Sequence, residues 1–570
     1  METVNSFKGY GKVDALEEAA FRRRTRKRVI ILAVSLVLLV VLIVGVVAGT
    51  VAHRRSKGGV PATPTSTSAA IKSVCSVTQY PDSCFASLES GNSTNPGNIF
   101  KLSLMVAVDS LKRLSAAFPG EYANRTDKPL VKEALRVCAA VLSDAVDSLD
   151  DTISSVDGGG KAGVVSRIDD LKTWLSTAVT DQETCLDALE EAKAPFLEEI
   201  KLLAKNSTEF ASNSLAIVSK LLGLLGDFDI PFNRRRLLAA PAGFPAWVAA
   251  RERRLLQEFR PKPDVTVAVD GSGDVATINE AVARIPKKNL TKFVIYVRAG
   301  EYVENVELVK SMWNVMMYGD GKTATIISGS KNFMDGTPTF STATFAVAGK
   351  GFIARDIGFR NTAGAEKHQA VALRSGSDMS VFYRCSFDGF QDTLYAHSNR
   401  QFYRDCDITG TIDFIFGNSA VVFQNCNIMP RQPLSNQFVT ITAQGKKDPN
   451  QNTGMSIQRC TMSPLDNLTA PTYLGRPWKD FSTTVIMETS IGGFLHAKGW
   501  ISWVANVDPP STIFYAEYRN TGAGAGTGGR VTWAGYKPDI TAAQALKYNV
   551  GSFIEGSSWL PATSVAFDST

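Results

Sequence analysis

The feature that most constrains this chain is a short repeat that places a cysteine at intervals of about twenty residues. In the C-terminal half, similar apolar runs end at Cys385, Cys406, Cys426 and Cys460, and an earlier copy has Ile357 in place of the cysteine. The spacings between the cysteines are 21, 20 and 34 residues, and the last leaves room for an inserted loop. A period near twenty, made of short β-rich runs without helical periodicity, indicates a solenoid of parallel strands.

Two acidic residues keep a constant position within this repeat. Asp392 lies seven residues after Cys385, and Asp413 lies seven residues after Cys406, each among apolar and aromatic residues. Consecutive coils of a parallel solenoid are about 4.8 Å apart, so residues of equal phase stack on neighbouring coils. Because an unpaired carboxylate is costly in apolar surroundings, the pattern favours a functional pair over two unrelated surface acids.

The blocks around this pair resemble those of plant pectin methylesterases. The blocks are G-D-G at 319–321, N-T-A-G at 361–364 with H-Q-A-V-A at 368–372, Q-D-T-L-Y at 391–395, D-F-I-F-G-N at 413–418 and L-G-R-P-W at 474–478. The resemblance extends from about Pro263 to the C-terminus, and it implies a right-handed parallel β-helix, in agreement with the repeat. We assign the catalytic β-helix to residues 259–570.

An ester hydrolase needs a nucleophile, a proton donor and groups that stabilise an oxyanion. We expect Asp413 to be the nucleophile, held ionised and oriented by a charge-assisted bond from Arg476. Asp392 is expected to be the acid/base, because a second carboxylate nearby raises its pKa by like charge. Gln391, with Gln369 about one coil earlier, is expected to donate to the oxyanion.

The expected substrate is methyl-esterified pectin, cleaved to methanol and free carboxylates without a metal or another cofactor. Trp478 is expected to pack on a galacturonate ring. The family resemblance also implies that Thr339 and Gln369 contact the substrate. Tyr395 and Phe416 are weaker candidates, because aromatic residues at such spacing are as often part of a core.

Two other classes of function stay open at this stage. Two carboxylates about 5–5.5 Å apart also suit a retaining glycosidase. A lyase on the same fold would need an acidic calcium cage, and the sequence shows no clustered surplus of acids. The second class is a non-enzymatic role, in which the N-terminal region acts as an inhibitor of other esterases.

Residues 71–229 are predicted to be helical. Apolar residues recur at helical spacing, for example at Leu135, Cys138 and Leu142, and Asp181 is predicted to be the N-cap of one helix. Helices of this length with short connections indicate an antiparallel bundle. The predicted fold is therefore multidomain, with an all-α antiparallel four-helix bundle followed by an all-β right-handed parallel β-helix.

The cysteines of this helical region resemble those of the pectin methylesterase/invertase inhibitor family. Cys75 and Cys84 open the region, and Cys138 and Cys185 follow within it. The resemblance implies a pro-domain that masks the esterase cleft; the alternative is a folding or sorting module. We expect disulfide bonds between Cys75 and Cys84 and between Cys138 and Cys185.

The cysteines of the repeat can be paired in a similar way. Cys385 and Cys406 share a phase on adjacent coils and are predicted to form a disulfide, and Cys426 could pair with Cys460 if the inserted loop leaves them stacked. The alternative is a set of free thiols that fill the core. An even number of cysteines suits an oxidising compartment, and the absence of a CxxC pair disfavours a zinc site.

The N-terminus carries the features of a membrane anchor. Residues 1–28 form a polar tail that ends in a basic cluster, and residues 29–52 contain no charged side chain. Such a run is long enough to span a bilayer as a helix, and the basic cluster favours a cytoplasmic tail. The alternative is a long cleaved signal peptide. Residues 53–70 are predicted to be a flexible linker.

A second linker, at residues 230–258, contains two pairs of basic residues. The pairs are Arg235-Arg236 and Arg253-Arg254, each followed by two leucines. Basic pairs in an exposed linker are accessible to proteases, and the resemblance implies cleavage by a subtilisin-like protease. The predicted course is a membrane-anchored precursor in the secretory pathway, from which the mature enzyme reaches the cell wall. The alternative is a solvated run of charges.

Two remaining features concern modification and charge. Five N-x-[ST] sequons are candidate glycosylation sites, headed by Asn92, Asn124, Asn206, Asn289 and Asn467. The net charge of +6 is segmental, with a basic N-terminus, an acidic helical region and basic processing signals. This distribution gives no indication of nucleic-acid binding.

Overall fold

The computed structural model describes residues 66–157, 167–226 and 261–570. The regions that lie outside the described residues include the predicted tail 1–28, the predicted span 29–52 and the processing arginines Arg235, Arg236, Arg253 and Arg254. These assignments therefore stay predictions. Among the described residues, no helix is both long enough and apolar enough to cross a membrane.

A helical bundle forms the first part of the compact unit that extends from Thr67 to Thr570. Its helices are α1 Thr67–Cys75, α2 Pro81–Leu88, α3 Pro96–Ala123, α4 Pro129–Asp157, α5 Ile168–Glu191 and α6 Leu197–Gly226. The long helices α3 to α6 share one apolar core. Asn95 starts α3 by accepting a hydrogen bond from the Gly97 amide at 2.9 Å. The predicted four-helix bundle is confirmed.

The bundle differs from the sequence analysis at two points. Helix α1 begins at Thr67, so the predicted linker 53–70 extends too far into the chain. Asp181 is not an N-cap, because α5 continues through it as one helix. The apolar spacing of Leu175 and Cys185 carries on across Asp181, and burial of those side chains outweighs the local capping pattern.

Residues 265–537 coil into a parallel β-helix with three sheets. Sheet 1 contains β1 Val265–Val267, β2 Phe293–Val297, β5 Val315–Tyr318, β8 Ile353–Arg355, β11 Ser380–Tyr383, β14 Arg400–Arg404, β17 Ala420–Gln424, β20 Gly454–Gln458, β23 Thr483–Met487, β25 Phe514–Tyr518 and β26 Tyr536–Lys537. Sheet 2 contains β3 Gly300–Val303, β6 Thr325–Gly329, β9 Gly358–Asn361, β12 Ser386–Asp388, β15 Asp407–Gly410, β18 Asn427–Pro430, β21 Thr461–Met462 and β24 Ser490–Ile491. Sheet 3 contains β4 Val306–Leu308, β7 Phe345–Val347, β10 Leu373–Ser375, β13 Leu394–Ala396, β16 Ile415–Gly417, β19 Val439–Gln444 and β22 Thr472–Gly475.

The short helical elements flank these sheets. They are α7 Ile278–Val282, α8 Ala542–Ala545, α9 Val550–Phe553 and α10 Gly556–Trp559, with 3-10 turns at Thr339–Ser341, Ala365–Lys367, Leu546–Tyr548 and Leu560–Thr563. Helix α7 starts at a capping box formed by Thr277 and Glu280. Its apolar residues Ile278 and Ala281 pack on the main core, so α7 covers one end of the apolar stack.

Each cysteine of the sequence repeat lies at a corner of the coil, between a strand of sheet 1 and a strand of sheet 2. Directly before each cysteine stands a residue with a left-handed backbone, with φ of 53° at Arg384, 56° at Asp405, 56° at Asn425 and 51° at Arg459. This conformation turns the chain sharply from sheet 1 into sheet 2. The parallel register stacks these corners in phase, which confirms the solenoid predicted from the spacing.

The disulfide predictions are confirmed in the bundle and wrong in the β-helix. Disulfides join Cys75 to Cys84 and Cys138 to Cys185. Cys385 and Cys406, like Cys426 and Cys460, are buried free thiols. Stacked side chains on parallel coils point the same way, so their Cβ atoms keep a separation of about 4.8 Å. A disulfide needs Cβ atoms about 3.5–4.5 Å apart, and the thiols therefore fill the core instead.

These thiols should be unreactive in the folded protein. All four are at most 2% exposed, so a reagent in solution cannot reach their sulfur atoms. We expect no labelling of the native protein by iodoacetamide and labelling of four cysteines after unfolding without reductant. Intact mass after alkylation measures this number. Labelling of only two cysteines would mean that the stacked thiols do form a disulfide.

Candidate active site

The two stacked aspartates lie at the start of neighbouring strands of sheet 3. Asp392 precedes β13, Asp413 precedes β16, and the register pairs Leu394 with Ile415. Both aspartates have left-handed backbones, with φ of 62° at Asp392 and 51° at Asp413. Such conformations cost about 1–3 kcal/mol each and are concentrated at functional sites. The register therefore brings the two predicted catalytic acids to the same phase on adjacent coils.

Asp413 is held by two partners. The Arg476 guanidinium donates from Nη2 to Oδ2 at 2.6 Å and from Nε to Oδ1 at 2.9 Å. The Thr440 hydroxyl donates to Oδ1 at 2.6 Å. Asp413 is only 5% exposed, so these charge-assisted bonds act in surroundings that exclude most water. Both partners donate to the carboxyl oxygens of Asp413, and the Arg476 contact is the one that the sequence predicted.

Asp392 has the opposite electrostatic environment. Burial, followed by the nearby charge of Asp413 and that of Glu191, raises its pKa well above the usual range, and Arg476 opposes this shift. Asp392 is 8% exposed. A carboxyl in this position retains its proton at a pH where an ordinary aspartate is ionised. The two stacked carboxyls thus differ, because Asp413 receives an arginine and a hydroxyl donor while the pKa of Asp392 is raised.

The two predicted oxyanion donors lie one coil apart. Gln369 and Gln391 form an isolated parallel bridge, and the Ala370 amide donates to the Gln391 carbonyl at 3.2 Å. Both glutamines are half-buried. Because Gln391 directly precedes Asp392, the two stacked glutamines lie beside the two stacked aspartates, as the spacing predicted.

An aromatic cluster lies beside the acids on the outer face of sheet 3. The Tyr395 and Phe416 rings stack with centroids 4.1 Å apart, and Phe416 lies 6.3 Å from Trp478. Trp503 stacks on the other side of Trp478 at 6.2 Å. Tyr395 and Phe416 belong to this cluster with Trp478 and not to the interior of the β-helix. The cluster supplies flat apolar surface next to the charged groups.

Two carboxylates of helix α5 reach the same region. Glu191 accepts a hydrogen bond from the Thr339 amide at 3.0 Å and a second, short one from the Thr339 hydroxyl. Asp187 accepts a hydrogen bond from Lys479 at 2.5 Å. Thr339, a predicted substrate contact, and Lys479, the neighbour of Trp478, are therefore both occupied by the bundle.

Hydroxyl groups along α5 continue this contact with the β-helix. Thr177 donates to Asn399 at 2.8 Å, and Thr184 bonds to His397 at 2.9 Å. Between them, Thr180 accepts a hydrogen bond from Asn418 at 2.9 Å. The helix is thus fixed along its length, with the hydroxyls towards its middle and the carboxylates at its C-terminal end.

Sequence reasoning missed Thr440 and the contacts of α5. Thr440 lies 27 residues after Asp413, since residues 431–438 are inserted before β19, so the twenty-residue period did not identify it. Asp187 and Glu191 are four residues apart, a spacing that also describes an ordinary solvated helix face. No signal in the sequence distinguishes these acids from the other charges of the bundle.

The candidate glycosylation sites are all at the surface. Four of the sequon asparagines are exposed and one is half-buried: Asn92, Asn124, Asn206 and Asn467, and then Asn289. This placement is compatible with modification, which stays a prediction.

Comparison with known proteins identifies both parts of the chain. Residues 264–557 match the Pectinesterase family, and residues 69–217 match the family described as Plant invertase/pectin methylesterase inhibitor. The family match, together with the paired carboxyls on the parallel β-helix, identifies a carboxylic ester hydrolase. The chain belongs to the pectinesterase family and carries an N-terminal inhibitor-like domain.

Similar proteins cover the chain in full or cover its β-helix alone. It is 59% identical to "Pectinesterase 3" of Phaseolus vulgaris, over 100% of both chains. It is 57% identical to "Pectinesterase 1" of Arabidopsis thaliana, over 99% of both. Among solved structures, "Pectin methylesterase from Carrot" is 53% identical with a TM-score of 0.53 and covers 54% of this chain and 98% of its own. A similar β-helix therefore folds without a bundle.

Proposed function

We propose that this pectinesterase hydrolyses the methyl esters of polygalacturonate through a covalent acyl-enzyme on Asp413. The observation that supports this most is the contrast between the two stacked carboxyls. Arg476 and Thr440 orient Asp413 by donating to both of its carboxyl oxygens, while burial and like charge raise the pKa of Asp392. A nucleophile and a proton donor are therefore present side by side before any substrate binds.

In the first half-reaction, a carboxylate oxygen of Asp413 attacks the ester carbonyl carbon. Charge develops on the carbonyl oxygen, where the amide of Gln391, assisted by Gln369, donates hydrogen bonds. As the tetrahedral intermediate collapses, the bond to the methoxy oxygen breaks, and that oxygen takes the proton of Asp392. Methanol leaves, and Asp413 is left acylated as an anhydride.

In the second half-reaction, Asp392 acts as a base. It is now ionised and removes a proton from a water molecule, which attacks the galacturonyl carbonyl of the anhydride. The bond to Asp413 breaks and the carboxylate of Asp413 is restored. Asp392 regains its proton, and its raised pKa favours the form needed for the next turnover.

The substrate-binding residues surround this pair. Trp478 and its stacked neighbours offer an apolar platform for the face of a sugar ring. Thr339 offers an amide and a hydroxyl, and Lys479 offers a positive charge to a polymer that carries carboxylates. Arg476 contributes through Asp413, and its guanidinium also lies 4.2 Å from the Trp503 ring centroid.

The two acids should fail in different ways. Asp413→Asn removes the nucleophile, so methanol release should fall to background. Asp392→Asn keeps the nucleophile but lacks the proton donor and the later base. With an ester of a readily leaving alcohol, it should release one equivalent of alcohol and stall as an acyl-enzyme. Single-turnover alcohol release and the intact mass of the β-helix fragment 259–570 measure both effects.

Asp407→Asn is the matched control, because Asp407 pairs with Lys322 on the outside of the coil at 2.8 Å. It should leave the rate unchanged. An adduct on Asp392, or full activity of Asp413→Asn, would contradict the assigned roles. New reducing ends in place of methanol would indicate the retaining glycosidase instead.

We further propose that the bundle inhibits the esterase to which it is joined. The supporting observation is that Glu191 and Asp187 occupy Thr339 and Lys479, beside the catalytic pair. Glu191 is close enough to Asp392 to contribute to its raised pKa. A polysaccharide could not reach Asp413 past helix α5 in this arrangement. Separation of the bundle from the β-helix would therefore be required for activity.

Removal of these two contacts should release activity. The full chain should be much less active than the fragment 259–570. Asp187→Asn with Glu191→Gln should raise the rate of the full chain by about 10-fold or more, since each bond to a charged group is worth about 1.5–3 kcal/mol. Glu198→Gln, which alters an exposed carboxylate of α6, is the control. Equal rates for the full chain and the fragment would rule out inhibition.

The contact should also depend on pH through Asp181. Asp181 is a residue of α5 that is buried against the β-helix, with Oδ1 3.9 Å from the Nε2 atom of His397. Its Oδ2 atom has no hydrogen-bond partner among the described residues. Burial and then Asp144 raise its pKa well above the usual range, against Lys310 and Arg374. Burial lowers the pKa of His397 to about 3, so that ring stays neutral.

Docking of the bundle therefore takes up a proton. A free Asp181 would titrate near its usual pKa of about 3.9, whereas the docked one holds its proton to higher pH. The stabilisation is fully present below the usual pKa and is lost as pH rises through the raised one. We expect the ratio of full-chain to fragment activity to rise with pH and to rise less steeply in Asp181→Asn.

Asp150→Asn is the control for this pH dependence, because Asp150 lies on the exposed side of the bundle and pairs with Lys112. Its activity ratio should follow the wild-type curve. Burial also raises the pKa of Asp187 to about 6, so part of the slope should persist in Asp181→Asn. A ratio independent of pH in the wild type would contradict proton-linked docking.

We also propose that the chain is made as a membrane-anchored precursor and acts in the cell wall. The uncharged segment 29–52 would be the anchor, and a subtilisin-like protease would cut at the basic pairs of the linker 230–258. The two disulfides of the bundle support passage through an oxidising compartment. Cleavage of the linker would then permit the bundle to dissociate.

A further inference from the structure

A third polar residue continues the column of the two aspartates. The register pairs Ile415 of β16 with Thr442 of β19, so Thr440 occupies on the next coil the position that Asp413 occupies on its own. The column therefore contains Asp392, Asp413 and Thr440 on three successive coils. Thr440 is fully buried, with no exposed surface.

Thr440 contacts Asp413 twice through a single hydroxyl. Its Oγ1 donates to Oδ1 of Asp413 at 2.6 Å and accepts a hydrogen bond from the Asp413 backbone amide at 2.9 Å. The equivalent amide of Asp392 donates instead to the Ile412 carbonyl of the next coil at 3.0 Å. The Thr440 hydroxyl thus accepts the hydrogen bond of the Asp413 amide, whereas a backbone carbonyl accepts that of the Asp392 amide.

The Thr440 hydroxyl thus links the backbone and the carboxylate of Asp413. The left-handed backbone of Asp413 is tied through its amide, and the carboxylate is tied through Oδ1. Arg476 Nη2 holds the second oxygen, Oδ2, at 2.6 Å. With a donor on each oxygen, the carboxylate plane cannot rotate, and its orientation toward the ester is set by Thr440 and Arg476 together.

We propose that Thr440 is a positioning residue for the nucleophile, an inference that rests on the proposed role of Asp413. Its hydroxyl, together with Arg476, fixes the carboxylate plane from which Asp413 attacks. Thr440 itself does not touch the substrate. Its contribution is therefore to the rate of the chemical step.

Thr440→Val tests this role, because valine has the same shape and lacks the hydroxyl. In the fragment 259–570, kcat should fall by about 10- to 100-fold, the range for one hydrogen bond to a charged group, while KM changes little. Thr440→Ser should restore kcat, because serine keeps the hydroxyl that orients the carboxylate.

Thr409→Val is the matched control. Thr409 is a threonine of sheet 2 that is 5% exposed, and its hydroxyl donates to the Met429 carbonyl at 3.0 Å. A similar loss of a buried hydrogen bond there should leave kcat unchanged. If Thr440→Val does not fold, Thr440→Ala and Thr440→Ser replace it, because they differ from each other only in the hydroxyl.

The outcomes separate this inference from the function on which it rests. A kcat that is unchanged in Thr440→Val, or equal in the alanine and serine variants, would overturn the role of Thr440. The same would follow if Thr409→Val lowered kcat equally, since the effect would then reflect folding alone. Asp413→Asn in the same assay tests the nucleophile independently, and its loss of activity would stand in either case.

Discussion

The equal spacing of parallel coils is the constraint on which both the core and the active site depend. Because each coil repeats the backbone path of the previous one about 4.8 Å away, any residue type that recurs in phase becomes a column. Inside, this produces the ladder of cysteines, and outside it produces a column with two aspartates and a threonine. The fold thus fixes the separation of the catalytic groups without any loop having to place them.

Two stacked aspartates would destabilise the fold if both were ionised. Two adjacent buried carboxylates repel each other, so one is favoured as the neutral acid. Arg476 and Thr440 decide which one, because both contact Asp413 and neither donates to Asp392 in the described structure. Burying the ion pair of Asp413 and Arg476 is costly, and in the proposed mechanism this pair distinguishes the nucleophile from the proton donor.

The sequence predicted those features that repeat with an unbroken period. Asp392 and Asp413 are 21 residues apart, and their stacking followed from that number. Thr440 stands in the same column, but the insertion at 431–438 shifted it out of the period. The thiol pairing was wrong because stacked side chains keep the spacing of the coils, about 4.8 Å, which is wider than the Cβ separation of a disulfide. The residues that follow Asp181 resemble the start of a helix, but burial of the apolar face extends α5 through this position.

The contact between α5 and the cleft could not be found from either segment alone, because it depends on complementarity between them. Beside the two aspartates the β-helix offers Thr339, Lys479 and an aromatic platform. Helix α5 presents Asp187 and Glu191 one turn apart, so it meets those groups with carboxylates of its own. Under the proposed function, the same groups would contact a partly esterified polymer that still carries some carboxylates. Bundle and substrate would then compete for one set of contacts, which is why the proposal requires the bundle to leave before the esterase can act.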